Sequence, residues 1–238
     1  MDRTSGVAMW RQIEDRLKRD LVEGRWKAGD RLPTEAELAE SFGVNRHTLR
    51  RAVASLRDAG VLRVEQGRGT FISDDMIDYA ISRRTRFSEN ITGLDRRPSG
   101  KVVRSGQIAA TTEIAEALEI WRGHKVVLIE AVNLVDERPV SLVAHHFPAF
   151  RFKGIDTAYE QTGSITRALG QYGIGDYFRK SSRVSTRLPE ASDAEHLAMA
   201  RTQPILFVES INVDLQGQPI EYSVARSAGH RMNLVFEF

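Results

Sequence analysis

Along the first seventy residues the apolar positions recur with helical spacing, and beyond them the pattern changes to short alternating runs. Trp10, Ile13, Leu17 and Leu21 fall every three or four residues, which predicts a helix burying one face and stopping at Gly24. The stretch GRWKAGDRLPT, with Gly29 and Pro33, reads as turn and loop. Thr34 followed three residues later by Glu37 is a capping-box signature opening a short helix through Ala36, Leu38, Ala39 and Phe42, ended by Gly43. Val44 packs inward and Asn45 caps a third helix carrying Leu49, Ala52, Val53 and Leu56, which Asp58-Ala59-Gly60 closes. Val61-Leu62 with Val64, and Phe71-Ile72, then flank Gln66-Gly67-Arg68-Gly69, predicting a hairpin with a glycine-rich tip.

Residues 74–85 hold few packed-looking positions and read as a linker with helical tendency. From Lys101 onward the runs are strand-like: Val102-Val103, Val126–Ile129, Leu134-Val135, Val140–Val143, Ile205–Val208 and Ile220–Val224. The links Asp136–Pro139 and Asp214–Pro219 are turn-like, so each joins an antiparallel hairpin. The two hairpins resemble each other, which either a duplication or a shared hairpin geometry produces. Helical patterns lie near Thr112–Leu118, Ile165–Tyr172 and Ala191–Ala200. The predicted class is α+β, with an N-terminal helix-turn-helix and hairpin followed by a domain built on an antiparallel sheet. The expected division is 1–73 for the first domain, 74–85 for the linker and 86–238 for the second domain.

Composition narrows the function. The 238 residues are 41% hydrophobic and 28% charged, ordinary for a globular protein, and include no cysteine. Disulfides, thiolate catalysis and cysteine-ligated metals are therefore excluded. No apolar run approaches the roughly eighteen residues of a membrane span, and the N-terminus lacks the apolar stretch of a signal peptide; the expected location is cytoplasmic, with no membrane partner. The net charge of +2 says little, but its distribution says more. Between Asn45 and Ser73 stand Arg46, Arg50, Arg51, Arg57, Arg63 and Arg68 against only Asp58 and Glu65. A basic surface of that kind suits phosphate contacts.

A short helix, a tight turn at Gly43 and a helix exposing Arg46, His47, Thr48, Arg50 and Arg51 form a helix-turn-helix whose third helix suits the major groove. Arg50 and Arg51 are adjacent and cannot share a direction, so one is expected to reach a phosphate flank. The hairpin tip reads as a wing, with Arg68 for the minor groove or backbone. Gly67 and Gly69 fail the nucleotide-loop fingerprint, which needs a preceding strand, a following helix and more glycines.

The motifs Gly29–Glu35, Leu38-Ala39, Gly43-Val44, Arg46–Thr48, Arg50–Ala52, Leu56, Gly60 and Gln66–Thr70 resemble the N-terminal domain of the GntR family of bacterial transcription regulators. That resemblance implies a winged helix-turn-helix in which Arg31, Arg46 and Arg50 touch DNA and the wing glycines approach the minor groove. The full set of candidate DNA contacts is Arg31, Thr34, Glu35, Asn45, Arg46, His47, Thr48, Arg50, Arg51, Arg68 and Gly69. It implies a homodimer on double-stranded DNA with an inverted-repeat operator.

The second half resembles the effector-binding domain of the HutC subgroup, a fold related to chorismate lyase, through Arg86–Asn90 and Glu221–Arg226. Within the subgroup it is most similar to regulators of phosphonate uptake. The resemblance implies a repressor that senses a small anionic, phosphate- or phosphonate-bearing metabolite, and candidate effector contacts at Arg86, Phe87, Ser88, Glu89, Asn90, Ser164, Thr166, Glu221 and Tyr222. Ser88 and Ser164 read equally as helix caps. Relatives carry arginines where Ala131 and Asn133 stand, and a glutamate where Val143 stands, which weakens a sugar phosphate as the effector. Glu130 and Glu209 are expected to face solvent. His145 and His146 point to opposite faces of a strand and have no further ligand at useful spacing, so no metal is expected. No nucleophile, base and orienting group stand together, so neither catalytic residues nor a cofactor are expected, and the chain reads as a regulator rather than an enzyme. A second domain that only dimerises stays open as the alternative.

Overall fold

The computed structural model describes residues 8–236 apart from Ala28, Gly60, Gln66, Asp74 and Asp75. The expectations placed on Gly60 and Gln66 lie outside the described residues. The chain divides into two compact units, Met1–Asp75 and Met76–Phe238.

In the first unit α1 (Met9–Val22), α2 (Glu35–Phe42) and α3 (Arg46–Asp58) precede a hairpin of β1 (Leu62–Glu65) and β2 (Gly69–Ile72). Ile13, Leu17, Leu38, Leu49, Val53 and Leu56 form its core, closed by Leu62 and Ile72 from the hairpin. The capping box at α2 forms as the spacing predicts: Glu37 N–H donates to the Thr34 hydroxyl while Thr34 N–H donates to the Glu37 carboxylate at 2.8 Å. Gly43 then takes φ +63, the left-handed conformation that ends the helix and starts the turn.

The second unit opens with β3 (Ile77–Ile81) and α4 (Phe87–Gly93). Then follow β4 (Pro98–Ala109), α5 (Thr112–Leu118), β5 (Lys125–Val135) and β6 (Arg138–Pro148). Three short helices come next: α6 (Ala149–Phe152), α7 (Ile155–Thr162) and α8 (Ile165–Gly170). The chain continues through β7 (Phe178–Arg187), α9 (Ala191–His196), β8 (Ile205–Val213), β9 (Pro219–Ala228) and β10 (Met232–Phe236). One antiparallel sheet has the order β4-β5-β6-β9-β8-β7. Each half of it is a strand, a helix and a hairpin in the same sequence, and the two halves meet where β6 pairs with β9. The likeness of the two hairpin sequences thus extends to the order of elements around them.

The segment expected as a linker with helical tendency needs correction. Residues 77–81 are a strand, paired in parallel with β10, with Ile77 opposite Met232 and buried. A partner more than 150 residues away satisfies these backbone groups, a contact that local pattern cannot reveal. The predicted helix at Ala191–Ala200 ends early, at His196, because Ala198 adopts φ +46. The first hairpin turns through Asp136 and Glu137, both at positive φ, and the Asp136 carboxylate is held by the Arg97 backbone N–H at 3.0 Å and by the Arg96 guanidinium.

Leu49 has no solvent exposure at the centre of the first unit's core. Leu49→Ala is expected to lower the stability of that unit by about 2–5 kcal/mol, read as an earlier denaturant midpoint, with the transition of the second unit unchanged.

Candidate functional site

In the first unit the candidate residues gather around the start of α3. Asn45 caps the helix by accepting from Thr48 N–H at 2.8 Å, and the Thr48 hydroxyl also donates to it at 2.9 Å. These two side chains are therefore engaged with each other. Arg50 is exposed and held by Glu35 across the turn at 2.8 Å. Arg51 turns the other way, its guanidinium 4.7 Å from the centre of the Trp10 ring on α1. The neighbouring arginines diverge as their spacing requires. Arg46 and His47 are exposed and form no ion pair among the described residues.

The wing is fixed from beneath by Glu65, whose side chain is almost wholly buried and pairs with Arg63 and, at 3.1 Å, with Arg68. Arg31 lies against Gly69: a β-carbon there would stand 2.8 Å from its Nε, and Gly69 also holds φ +118. Only glycine meets both conditions. Arg31 and the wing thus belong to one surface, while Thr34 spends its hydroxyl on the capping box.

In the second unit the alternation of side chains gives the sheet two different faces. On one, α4, α7 and α8, with β3 and β10, enclose a cavity of about 400 Å³. It is within the size range of small-molecule sites. Arg86, Phe87, Ser88, Ser164, Thr166 and Glu221 line it, as the sequence suggested. Ser164 is also the cap of α8, accepting from Arg167 N–H at 3.4 Å, whereas Ser88 lies inside α4. The Thr166 hydroxyl is 2.8 Å from that of Tyr177.

Three expected contacts do not reach the cavity. Tyr222 is next to Glu221 on β9 and so faces the other side, where it packs with α5 and donates to Glu209 at 2.8 Å. Glu89 is exposed and pairs with Arg86. Asn90 points back to the backbone carbonyls of Ala80 and Arg86. Glu130 departs from expectation too: it is buried on the outer face, bound by Arg104 and Arg226, each at 2.6 Å. Burial pushes its carboxyl up, but those two arginines outweigh it and hold the pKa below the usual value. Glu209 is half-buried rather than solvent-facing.

Residues the sequence did not single out complete the cavity floor. Glu221 is 2% exposed and accepts from His145 Nδ1 at 2.5 Å and from Asn212 Nδ2 at 2.6 Å. Burial raises its pKa, but the His145 hydrogen bond and charge, the Asn212 bond and the Arg179 charge leave it lowered overall. With its amide nitrogen given to Glu221, Asn212 presents its oxygen to Arg179 Nε at 2.8 Å. Arg179 Nη1 donates to Ser210 at 2.7 Å and to Ser182 at 3.2 Å. Arg179 therefore lines the cavity with no carboxylate paired to it among the described residues. Tyr177 beside it stays protonated, pushed up to about 12 by burial and the Glu221 charge. The signal for these groups was the period-two register with Glu221, legible only once the strand partners are known.

His145 faces the cavity and His146 the opposite side, donating to the Tyr222 carbonyl at 3.1 Å. Among the described residues no group of three or more histidines and acids is placed to hold a metal.

A winged helix-turn-helix followed by an α+β unit with an enclosed ligand-sized cavity is the build of a one-component DNA-binding regulator with a metabolite-binding domain. Residues 10–72 match the family described as "Bacterial regulatory proteins, gntR family", and residues 93–233 match the UTRA domain. The chain belongs to the gntR family, in the branch whose second domain is UTRA. It is 39% identical over 238 residues to the HTH-type transcriptional regulator RB1450 of Rhizobium meliloti (strain 1021), covering 100% of this chain and 98% of that one. It is 29% identical to the "Probable transcriptional regulator PhnF" of Escherichia coli (strain K12), covering 98% and 97% of the two chains. The crystal structure of PhnF from Mycobacterium smegmatis shares the fold, with a TM-score of 0.66 at 24% identity over 95% of this chain and 98% of that one.

The buried His146 supplies a pH prediction. Burial lowers its pKa from 6.5 to about 4, so the native state binds fewer protons than the unfolded chain in that window. Stability is full above pH 6.5 and falls as the pH drops toward 4, by on the order of 3 kcal/mol from this group. Urea denaturation at a series of pH values should show that slope, and His146→Gln should flatten it.

Proposed function

We propose that the protein is a homodimeric repressor whose operator affinity is set by an anionic metabolite bound in the cavity of the second unit. The observation that carries the reading is Arg179, a cation on the cavity wall whose hydrogen-bond partners are all neutral. Holding a guanidinium against neutral acceptors at a ligand-sized cavity leaves room for an incoming anion to complete its pairing. Arg86, in contrast, is already met by Asp176 and Glu89. A ligand-sized cavity with polar groups along its floor argues against a second unit that serves only to dimerise.

The DNA side of the proposal assigns groove contacts to Arg46, His47 and Arg50, minor-groove or backbone contacts to Arg31, Arg68 and Gly69, and a phosphate flank to Arg51. Thr34, bonded to Glu37, and Asn45 and Thr48, bonded to each other, shape the surface and offer backbone groups, and Glu35 steers Arg50. Two such heads in a dimer match the two halves of an inverted repeat. The likeness to the phosphonate-uptake regulators and to PhnF favours a phosphonate or phosphate ester as the anion and repression as the outcome. Work on DNA sets the place of action in the cytoplasm, and among the described residues no helix is long and apolar enough to cross a membrane. In this reading the cavity groups bind and orient a ligand.

Fluorescence anisotropy with operator DNA at fixed salt tests both halves. Arg46→Ala and Arg50→Ala should each weaken operator binding by about 1–3 kcal/mol while leaving the melting curve unchanged. Arg179→Gln should keep operator affinity and lose the response to anions in a panel of inorganic phosphate, alkylphosphonates, sugar phosphates and carboxylates. A wild-type protein whose operator affinity none of these changes would not be a sensor of this kind.

A further inference from the structure

The cavity floor is banded across the strands. In one row Ser210, Ser223 and His145 face one another on β8, β9 and β6, beside Arg179 and Asn212. In the next row stand Val208, Ala225 and Val143, all apolar. In the third, Ser227 faces Ser141, which pairs in turn with Asn133. All of these line the cavity. Ser223 to Ser227 spans four residues of strand, roughly 13 Å.

The two polar bands differ in what they leave unmet. At the Arg179 end the unmet capacity is cationic. At the other end it is neutral: Ser227 is 3% exposed and Tyr159 4%, and neither hydroxyl makes a hydrogen bond among the described residues although both line the cavity. The Tyr159 hydroxyl belongs to this end because it lies 2.8 Å from the β-carbon position of Gly100, and Gly100 pairs with Asn133. Ser141 is already engaged, accepting from Asn133 at 3.2 Å. Hydroxyls that face a cavity and have no protein partner are free to bond a ligand.

We propose that the effector is an elongated, two-ended molecule. Its anionic group sits at Arg179, an apolar segment crosses Val143, Ala225 and Val208, and a neutral hydroxyl or carbonyl reaches the far polar band, which runs from Ser227 on β9 to the Tyr159 hydroxyl over β4. The inference rests on the reading of the cavity as an effector site and adds to it the shape and polarity of the ligand. A compact anion fills one end only, and a molecule hydroxylated along its whole length strips water from its central hydroxyls over a band that offers them nothing.

The test is calorimetric titration of the full chain with 6-hydroxyhexanoate, hexanoate, 5-hydroxypentylphosphonate and glucose 6-phosphate. 6-Hydroxyhexanoate should bind about three- to tenfold tighter than hexanoate, the margin of a well-formed neutral hydrogen bond. The double variant Ser227→Ala, Tyr159→Phe keeps the shape of both side chains and should erase that margin while leaving hexanoate unchanged. The hydroxypentylphosphonate arm distinguishes a phosphonate from a carboxylate head by which of the two binds tighter. Equal affinity of the wild type for hexanoate and 6-hydroxyhexanoate, a margin that survives the double variant, or glucose 6-phosphate as the tightest ligand overturns the two-ended proposal. In the last case, loss of that binding in Arg179→Gln would keep the anionic-effector reading standing alone. Absence of binding by all four probes to folded protein overturns both.

Discussion

Glu221 is a carboxylate almost out of contact with water, and the chemistry of the second unit follows from how it is held. A charge in that position persists only when its oxygens are met. His145 and Asn212 meet one oxygen each. Because Asn212 gives its amide nitrogen to Glu221, only its carbonyl is left for Arg179, which fixes the direction of the guanidinium. Serine hydroxyls on β7 and β8 complete the seat without neutralising it. The carboxylate therefore shapes the cavity through its neighbours. The sequence marks Glu221 as a candidate effector contact, and in the structure it orients Arg179 by way of Asn212.

The first unit uses related devices on its own arginines. Glu65, buried under the wing, holds Arg68, and Glu35 holds Arg50 across the turn between α2 and α3. A free arginine loses roughly 2 kcal/mol of rotamer entropy when it is fixed on a partner, so holding it beforehand moves part of that cost into folding. Arg46 has no such partner among the described residues and stays exposed. Held side chains suit contacts of fixed geometry, and unheld ones suit a backbone whose position varies with sequence.

The legibility of this molecule tracks how local each interaction is. The helix-turn-helix was readable because its determinants sit within a few residues of one another: the Thr34 to Glu37 box, Gly43 and the Asn45 cap. The two hairpins were readable for the same reason, each joining adjacent strands through a short turn. β3 was read as linker because its partner, β10, is at the far end of the chain. β7, with the sequence FRKSSRVSTR, has too few apolar residues to announce a strand, since its edge position leaves most side chains exposed. Arg179 was hidden with it. The match over Glu221–Arg226 carries no face information, and the alternation of the strand turns Tyr222 away from the cavity that its neighbour Glu221 lines.

The same long-range pairing bears on how a ligand could be felt by the DNA-binding unit. β3 begins two residues after the first unit ends, and among the described residues its sheet partner is β10, in a pair of two strands outside the main sheet. Two-stranded pairs are marginal by themselves, so the position of β3 depends on what packs against it. Tyr79 and Ile81 from β3, with Met232 and Leu234 from β10, line the cavity. The segment after β3 is tied on the other side, where Asp176 binds both Arg84 and Arg86, each at 2.6 Å. The six-stranded floor has dense registered pairing and little freedom to respond. The other wall of the cavity includes β3 and β10, and β3 is the element covalently next to the first unit. Coupling then requires only that the occupied cavity favour one setting of that strand pair over another, which is a difference in contact free energy between two settings.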